Sequence, residues 1–256
     1  STTSLLEKIT GSTTSISLHR QAEERDRIKA NGSQQFQGFE VNTVGMFQHF
    51  SKQSALGHWT MGADFYLDSV SSFLDKGSSQ TAADDIQGPV ADDASYLTSG
   101  IFVQDQIALS ERMNLSLGMR LAHARVDANE VRDPVTNTQI SIKDDWTAVL
   151  GSARVNYALP GESATLFGGI SQGFRAPNLS DLTRFDSSRS DEFEIPAPGL
   201  DPENSMSFEL GIKHESKRSS AQAALFYTDI ADGIVRVPTG NTNADGDAEI
   251  TKANVG

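Results

Sequence analysis

Cysteine is absent from this 256-residue chain, so disulfide frameworks, thiolate chemistry and Cys-based metal sites are excluded. Long apolar runs are missing too. No segment approaches the ~18 consecutive apolar residues of a membrane-spanning helix, which excludes a helical membrane protein. Positive charge is scarce: the net charge is −13, whereas a nucleic-acid partner needs a basic surface to displace counterions from phosphates. His19, His49, His58, His123 and His214 fall on separate segments without metal-ligand spacing, so neither a metal site nor a cofactor is expected. No charged-then-apolar leader opens the chain at Ser1–Ser4, which places any signal peptide outside this segment.

What the sequence does contain is alternation. Met113, Leu115, Leu117, Met119 and Leu121 share one side of a period-two pattern, with Asn114, Ser116, Gly118, Arg120 and Ala122 on the other. Residues 206–213 and 59–68 repeat it. About ten strands are predicted, near 13–22, 36–50, 56–69, 95–109, 113–127, 144–158, 163–175, 205–215, 219–236 and 248–256. Helix is hardly needed. The connections alternate in length: 51–55, 110–112, 159–162 and 216–218 are tight, while 23–35, 70–94, 128–143, 176–204 and 237–247 are long and polar.

That rhythm predicts an all-β, antiparallel up-and-down transmembrane β-barrel, present in part, with short periplasmic turns and long external loops. Average hydropathy stays low in such a barrel because only every second residue faces lipid. Trp146 and Tyr96 at the loop side, and Trp59 and Tyr157 at the turn side, are expected to form interfacial belts. A soluble β-sandwich, acting as a secreted enzyme or adhesin, also alternates, but its strands are usually shorter.

At Gly169-Ile-Ser-Gln-Gly-Phe-Arg-Ala-Pro-Asn-Leu179 the sequence resembles the barrel of TonB-dependent receptors, in which a strand ending S-x-G-F-R-A-P precedes a long external loop. The return through Leu200-Asp-Pro-Glu-Asn-Ser205 into Phe208-Glu-Leu-Gly-Ile-Lys213 is similar to the family's L-x-P-E-x-S and E-x-G-x-K. The resemblance is closest over residues 95–256. It implies a bacterial outer-membrane receptor that takes up a scarce nutrient such as a ferric siderophore. The implied partners are a small-molecule ligand such as a metal chelate, the lipid bilayer, and a plug domain and TonB complex reached through segments outside this one. The whole of 1–256 is expected to be an internal barrel segment without plug, TonB box or terminal strand. A passive channel or structural barrel is the alternative within the same architecture.

The resemblance places ligand contact after the strand motif, at Phe174, Arg175, Asn178, Arg184 and Arg189, and lines the lumen with Glu40, Asp64, Asp68, Arg120, Glu209 and Lys213. The Phe174–Pro177 box also works simply as a strand terminator, since proline lacks a ladder donor. No histidine lies between Pro177 and Asp201, and the second box reads Asp201-Pro-Glu-Asn204, so haem ligation is not implied. Asp84-Asp85, Asp92-Asp93, Asp144-Asp145 and Asp191-Glu192 lie in or beside loops and read as solvated charge rather than glycosidase pairs. Asn241–Glu249 begins like a calcium loop, but Lys252 occupies the closing position, which favours an ordinary hairpin.

Overall fold

The computed structural model describes residues 11–28, 34–54, 57–75, 86–161, 163–189 and 191–256. The strands are β1 (Gly11–Ile28), β2 (Gln34–Gln53), β3 (His58–Asp75), β4 (Asp92–Ser110), β5 (Met113–Arg132), β6 (Gln139–Ala158), β7 (Ala164–Arg175), β8 (Asp186–Arg189), β9 (Glu192–Glu194), β10 (Glu203–Glu215), β11 (Ser220–Ala231), β12 (Gly233–Thr242) and β13 (Ala248–Val255). One short helix, α1 (Leu179–Thr183), follows β7. Nine strands form a single antiparallel sheet in the order β1-β2-β3-β4-β5-β6-β7-β10-β11, an up-and-down meander with no Greek-key crossing. Its two edges, β1 and β11, do not pair with each other, so the sheet is an open wall rather than a closed barrel.

The remaining strands form a second sheet, β12-β13-β9-β8, in which β13 runs parallel to β9. The single strand expected over 219–236 is broken at Asp232, whose φ of 57° turns the chain from β11 into β12. The strand expected at 248–256 as an edge of the wall instead pairs with β12 and β9. The loops expected at 23–35 and 128–143 are largely strand: β1 reaches Ile28, β5 reaches Arg132 and β6 starts at Gln139.

Those extra residues reverse the pattern. On β5, Leu117 and Met119 are 42% and 59% exposed on the outer face, while Arg120 points inward. From Leu121 outward the apolar positions change parity. His123, Arg125, Asp127 and Asn129 continue the outer face, and Ala124, Val126 and Ala128 are buried on the inner one. β6 does the same, with Val149 outside and Ile142 and Trp146 buried inside. Met113–Leu121 is therefore the membrane-crossing part, close to the ~9–11 residues a tilted strand needs. The outer half stands in water, so its outer face is polar and its inner face packs against folded loop. Trp146 accordingly lies in the core and Tyr96 packs against it, instead of forming an outer belt. Tyr157, on the turn side, does face out at 38% exposure.

Candidate functional site

The core of the structure sits in the mouth of the wall, not in its membrane-crossing half. It is built from the inner faces of β3–β6, through Val70, Ala94, Ala124, Val126, Val131, Ile142 and Trp146, and from Leu179, Leu182, Ala197 and Leu200 of the 176–202 segment. That long loop is thus a folded cap.

Its entry is fixed locally. Pro177 ends the β7 ladder and its carbonyl accepts the Tyr96 hydroxyl at 3.0 Å. Burial, with help from the Asp181 charge, pushes the Tyr96 phenol up to about 12, so it stays a donor at neutral pH. Asn178 then caps α1 in a capping box: its Oδ1 accepts the Asp181 N–H at 2.8 Å, and Asp181 Oδ2 accepts the Asn178 N–H at 3.0 Å. The buried Gln87 donates to the Thr183 carbonyl at 2.8 Å and accepts the Arg132 N–H at 2.8 Å, tying the cap to the outer end of β5.

A chain of charges runs from the cap to both ends of the wall. Glu203, at the start of β10, accepts Arg175 Nε at 2.6 Å and Nη2 at 2.8 Å, and Arg175 Nη1 reaches Asp181 at 2.7 Å. Lys252 of β13 joins Asp181 at 2.7 Å to Glu194 at 3.3 Å, and Arg236 of β12 joins Glu194 at 3.2 Å to Glu192 at 2.8 Å. Arg184 lies 3.9 Å from Glu194 and 3.6 Å from Asp186. Asp186 in turn is gripped by Arg25 of β1 and accepts Gln37 Nε2 of β2 at 2.9 Å. The cap therefore bridges β7 and β10 to β1 and β2. Burial works against ionisation of Asp181, yet Lys252, the Asn178 N–H and Arg175 hold it below the usual carboxylate range. The Arg175 fork does the same for Glu203, to about 2, despite partial burial.

Of the residues expected to meet ligand, Phe174 packs on the core, Arg175 and Arg184 lie in the charge chain, Asn178 is the helix cap, and Arg189 is exposed at the end of β8. Of those expected in the lumen, Asp64, Asp68, Arg120, Glu209 and Lys213 share the inner face. Arg120 forks onto Asp64, Arg154 reaches Glu209 at 2.6 Å, Thr43 donates to Asp68 at 2.6 Å, and Lys213 pairs with Glu215 at 2.8 Å. Glu40 is different. Its register places it with Val44 and Met46 on the outer face, above the apolar band, where Arg20 donates to it at 2.7 Å. The parity reversal along β2 is the cause.

Arg25, Asp186, Glu194 and Arg236 are not singled out by the sequence, and Lys252 only as the closing position of the calcium-like segment, because no local pattern links β1 to residues 161 positions away. The calcium-like segment 241–249 is a turn in which Asn243 Oδ1 accepts the Asp245 and Asp247 N–H groups at 3.0 and 2.8 Å, with Lys252 engaged elsewhere. Among the described residues no group of three or more metal-ligating side chains converges.

An apolar band on one face, polar residues on the other and a folded cap over the mouth define the wall of an outer-membrane β-barrel. Residues 7–256 match the family described as "TonB dependent receptor-like, beta-barrel", and the chain belongs to that family. Solved structures share the fold. The chain aligns over 100% of its length with 40% of the copper transporter OprC, at 16% identity and a TM-score of 0.77. It aligns over 95% with 45% of the siderophore receptor PirA from Pseudomonas aeruginosa, at 19% identity and 0.63. It aligns over 98% with 45% of the Serratia marcescens hemophore receptor HasR, solved in complex with its hemophore HasA and heme, at 14% identity and 0.63. The chain thus spans less than half the length of these structures. No curated protein gives a significant sequence match.

Proposed function

We propose that this chain is the ligand-receiving wall of a bacterial outer-membrane receptor that imports a scarce nutrient such as a ferric siderophore by TonB-dependent transport. Its plug and energy coupling are supplied by receptor segments outside residues 1–256. The observation that carries the reading is the cap. Residues 176–202 are folded over the inner face and tied by buried charges to β1, β2, β12 and β13. An ordered element across the mouth of a barrel is where an external ligand is met first, and loops on a rigid scaffold are the usual carriers of recognition. The neighbours' printed names, a copper transporter, a siderophore receptor and a hemophore receptor, agree with receptor function while differing in cargo.

Arg175 and Glu203 are direct partners in the β7–β10 register, so the loop between them is replaceable by a short turn without disturbing the ladder. In the full-length receptor this replacement is expected to abolish high-affinity ligand uptake while the barrel still assembles. Undiminished uptake by a correctly assembled replacement would sink the assignment.

A further inference from the structure

Between α1 and the inner faces of β1–β4 lies a cavity of about 410 Å³. We infer that it takes a small amphipathic cation, an amine carried on an apolar group, as a recognition subsite of the receptor. This rests on the reading that the cap receives ligand.

Size comes first, since the cavity falls within the range of small-molecule sites. Phe39, Val41, Val70, Val90 and Leu179 make one side apolar. Charge decides the rest. Five ionised groups line the space: Glu23, Arg25, Asp68, Arg184 and Asp186. Each guanidinium charge has a carboxylate beside it, Arg25 at Asp186 and Arg184 at 3.6 Å from Asp186 and 3.9 Å from Glu194, although the Nε of each lacks a hydrogen-bond acceptor. The carboxylates of Glu23 and Asp68 lack such a partner: among the described residues Asp68 accepts only the Thr43 hydroxyl and Glu23 makes no ion pair.

An anion entering here would meet two uncompensated negative charges and two cations whose charge neighbouring carboxylates already offset. An amine would meet the opposite. It would gain a carboxylate partner in a partly desolvated space, where such attraction exceeds its value in water, while its hydrocarbon covered the apolar side. Arginines at a receptor mouth invite the expectation of an acidic ligand. Here their pairing inside the protein points the other way.

The test uses the full-length receptor in lipid nanodiscs and three probes of one shape: cyclohexylmethylamine, cyclohexylmethanol and cyclohexanecarboxylate. Calorimetry is expected to rank the amine about tenfold above the alcohol, with the carboxylate weakest. Glu23→Gln, which changes an exposed side chain, and Glu23→Gln with Asp68→Asn are expected to erode the amine preference stepwise to none. A preference for the carboxylate, an amine preference that survives the double substitution, or no binding of any probe would overturn the inference. Amine binding is read independently of uptake. A failed probe series beside loop-dependent uptake rejects only this subsite, whereas loop-independent uptake rejects the reading that the cap receives ligand.

Discussion

Arg120 and Asp64 lie two strands apart, yet the guanidinium holds both carboxylate oxygens, at 2.6 and 2.8 Å. Gly100 of β4, the direct partner of Asp64, makes this possible: a Cβ there would stand 2.2 Å from Arg120 Nη2. The device recurs on the inner face, where Gly169 of β7 is the direct partner of both Arg154 and Glu209, which meet at 2.6 Å. Glycine in a strand commonly marks such a close approach.

Gly100→Ala is expected to push Arg120 off Asp64 and to cost about 1–3 kcal/mol of stability, the range for a charge-assisted hydrogen-bonded pair. Asp64→Asn should cost a similar amount, and the two together little more than either. Urea unfolding of the full-length receptor in vesicles, run as a double-mutant cycle, checks this. Additive costs would mean that Gly100 serves something other than the Arg120 path.

The parity reversal gives a depth-dependent prediction. Leu117→Arg, in the middle of the apolar run and facing lipid, is expected to cost about 2–4 kcal/mol, whereas His123→Arg, on the same face two side chains above Met119, should cost about 0–1. Equal costs in the same unfolding assay would show that the membrane boundary has been misplaced along β5.

Much of the wall was legible because alternation and loop rhythm are local signals. Leu115 to Leu121 face out as expected, and the Gly173–Pro177 motif ends a strand at the start of the longest described connection. Trp146 and Glu40 were misplaced for one physical reason. The rule that apolar side chains face lipid holds only within the membrane, and it fails in the strand segments above it, where water lies outside and the cap inside. The signal was present, since apolar residues pass from odd positions over 113–121 to even ones over 124–128. The cap's partners cannot be read from the sequence, because Arg25–Asp186 and Lys252–Asp181 join residues that only the folded wall and cap bring together. The Arg175 and Asn178 motif positions were legible as special, but what they do here is hold the cap.

Asn178→Ala removes the side chain that caps α1 and is expected to cost about 1 kcal/mol of local stability. The helix has only five residues, so this loss should appear as faster proteolysis within 176–202 with the wall intact. Asn178→Asp, which keeps the acceptor, should restore protection; failure to do so would assign the asparagine another role.

Acid should release the cap before it unfolds the wall. The Arg175 fork holds the Glu203 carboxyl at about 2, below its ordinary 4.5, and Asp181 is also held low. A carboxylate with a depressed folded-state pKa contributes stability that is complete above its unfolded value and is lost as pH falls through the folded one. The window is therefore from about pH 4.5 down to about 2, and both groups lie in the cap's anchorage rather than in the membrane-crossing strands. Trp146, 9% exposed in the core cluster that contains Leu179 and Leu182, reports on docking of the cap. With Trp59 and every tryptophan outside residues 1–256 replaced by phenylalanine, Trp146 emission in the full-length receptor is expected to shift to longer wavelength across that window, while far-ultraviolet dichroism keeps its strand signal. Glu203→Gln cannot ionise, so it should lose the Glu203 share of the transition and leave the weaker Asp181 share. An unchanged transition in Glu203→Gln would place the acid-sensitive contact elsewhere in the charge chain.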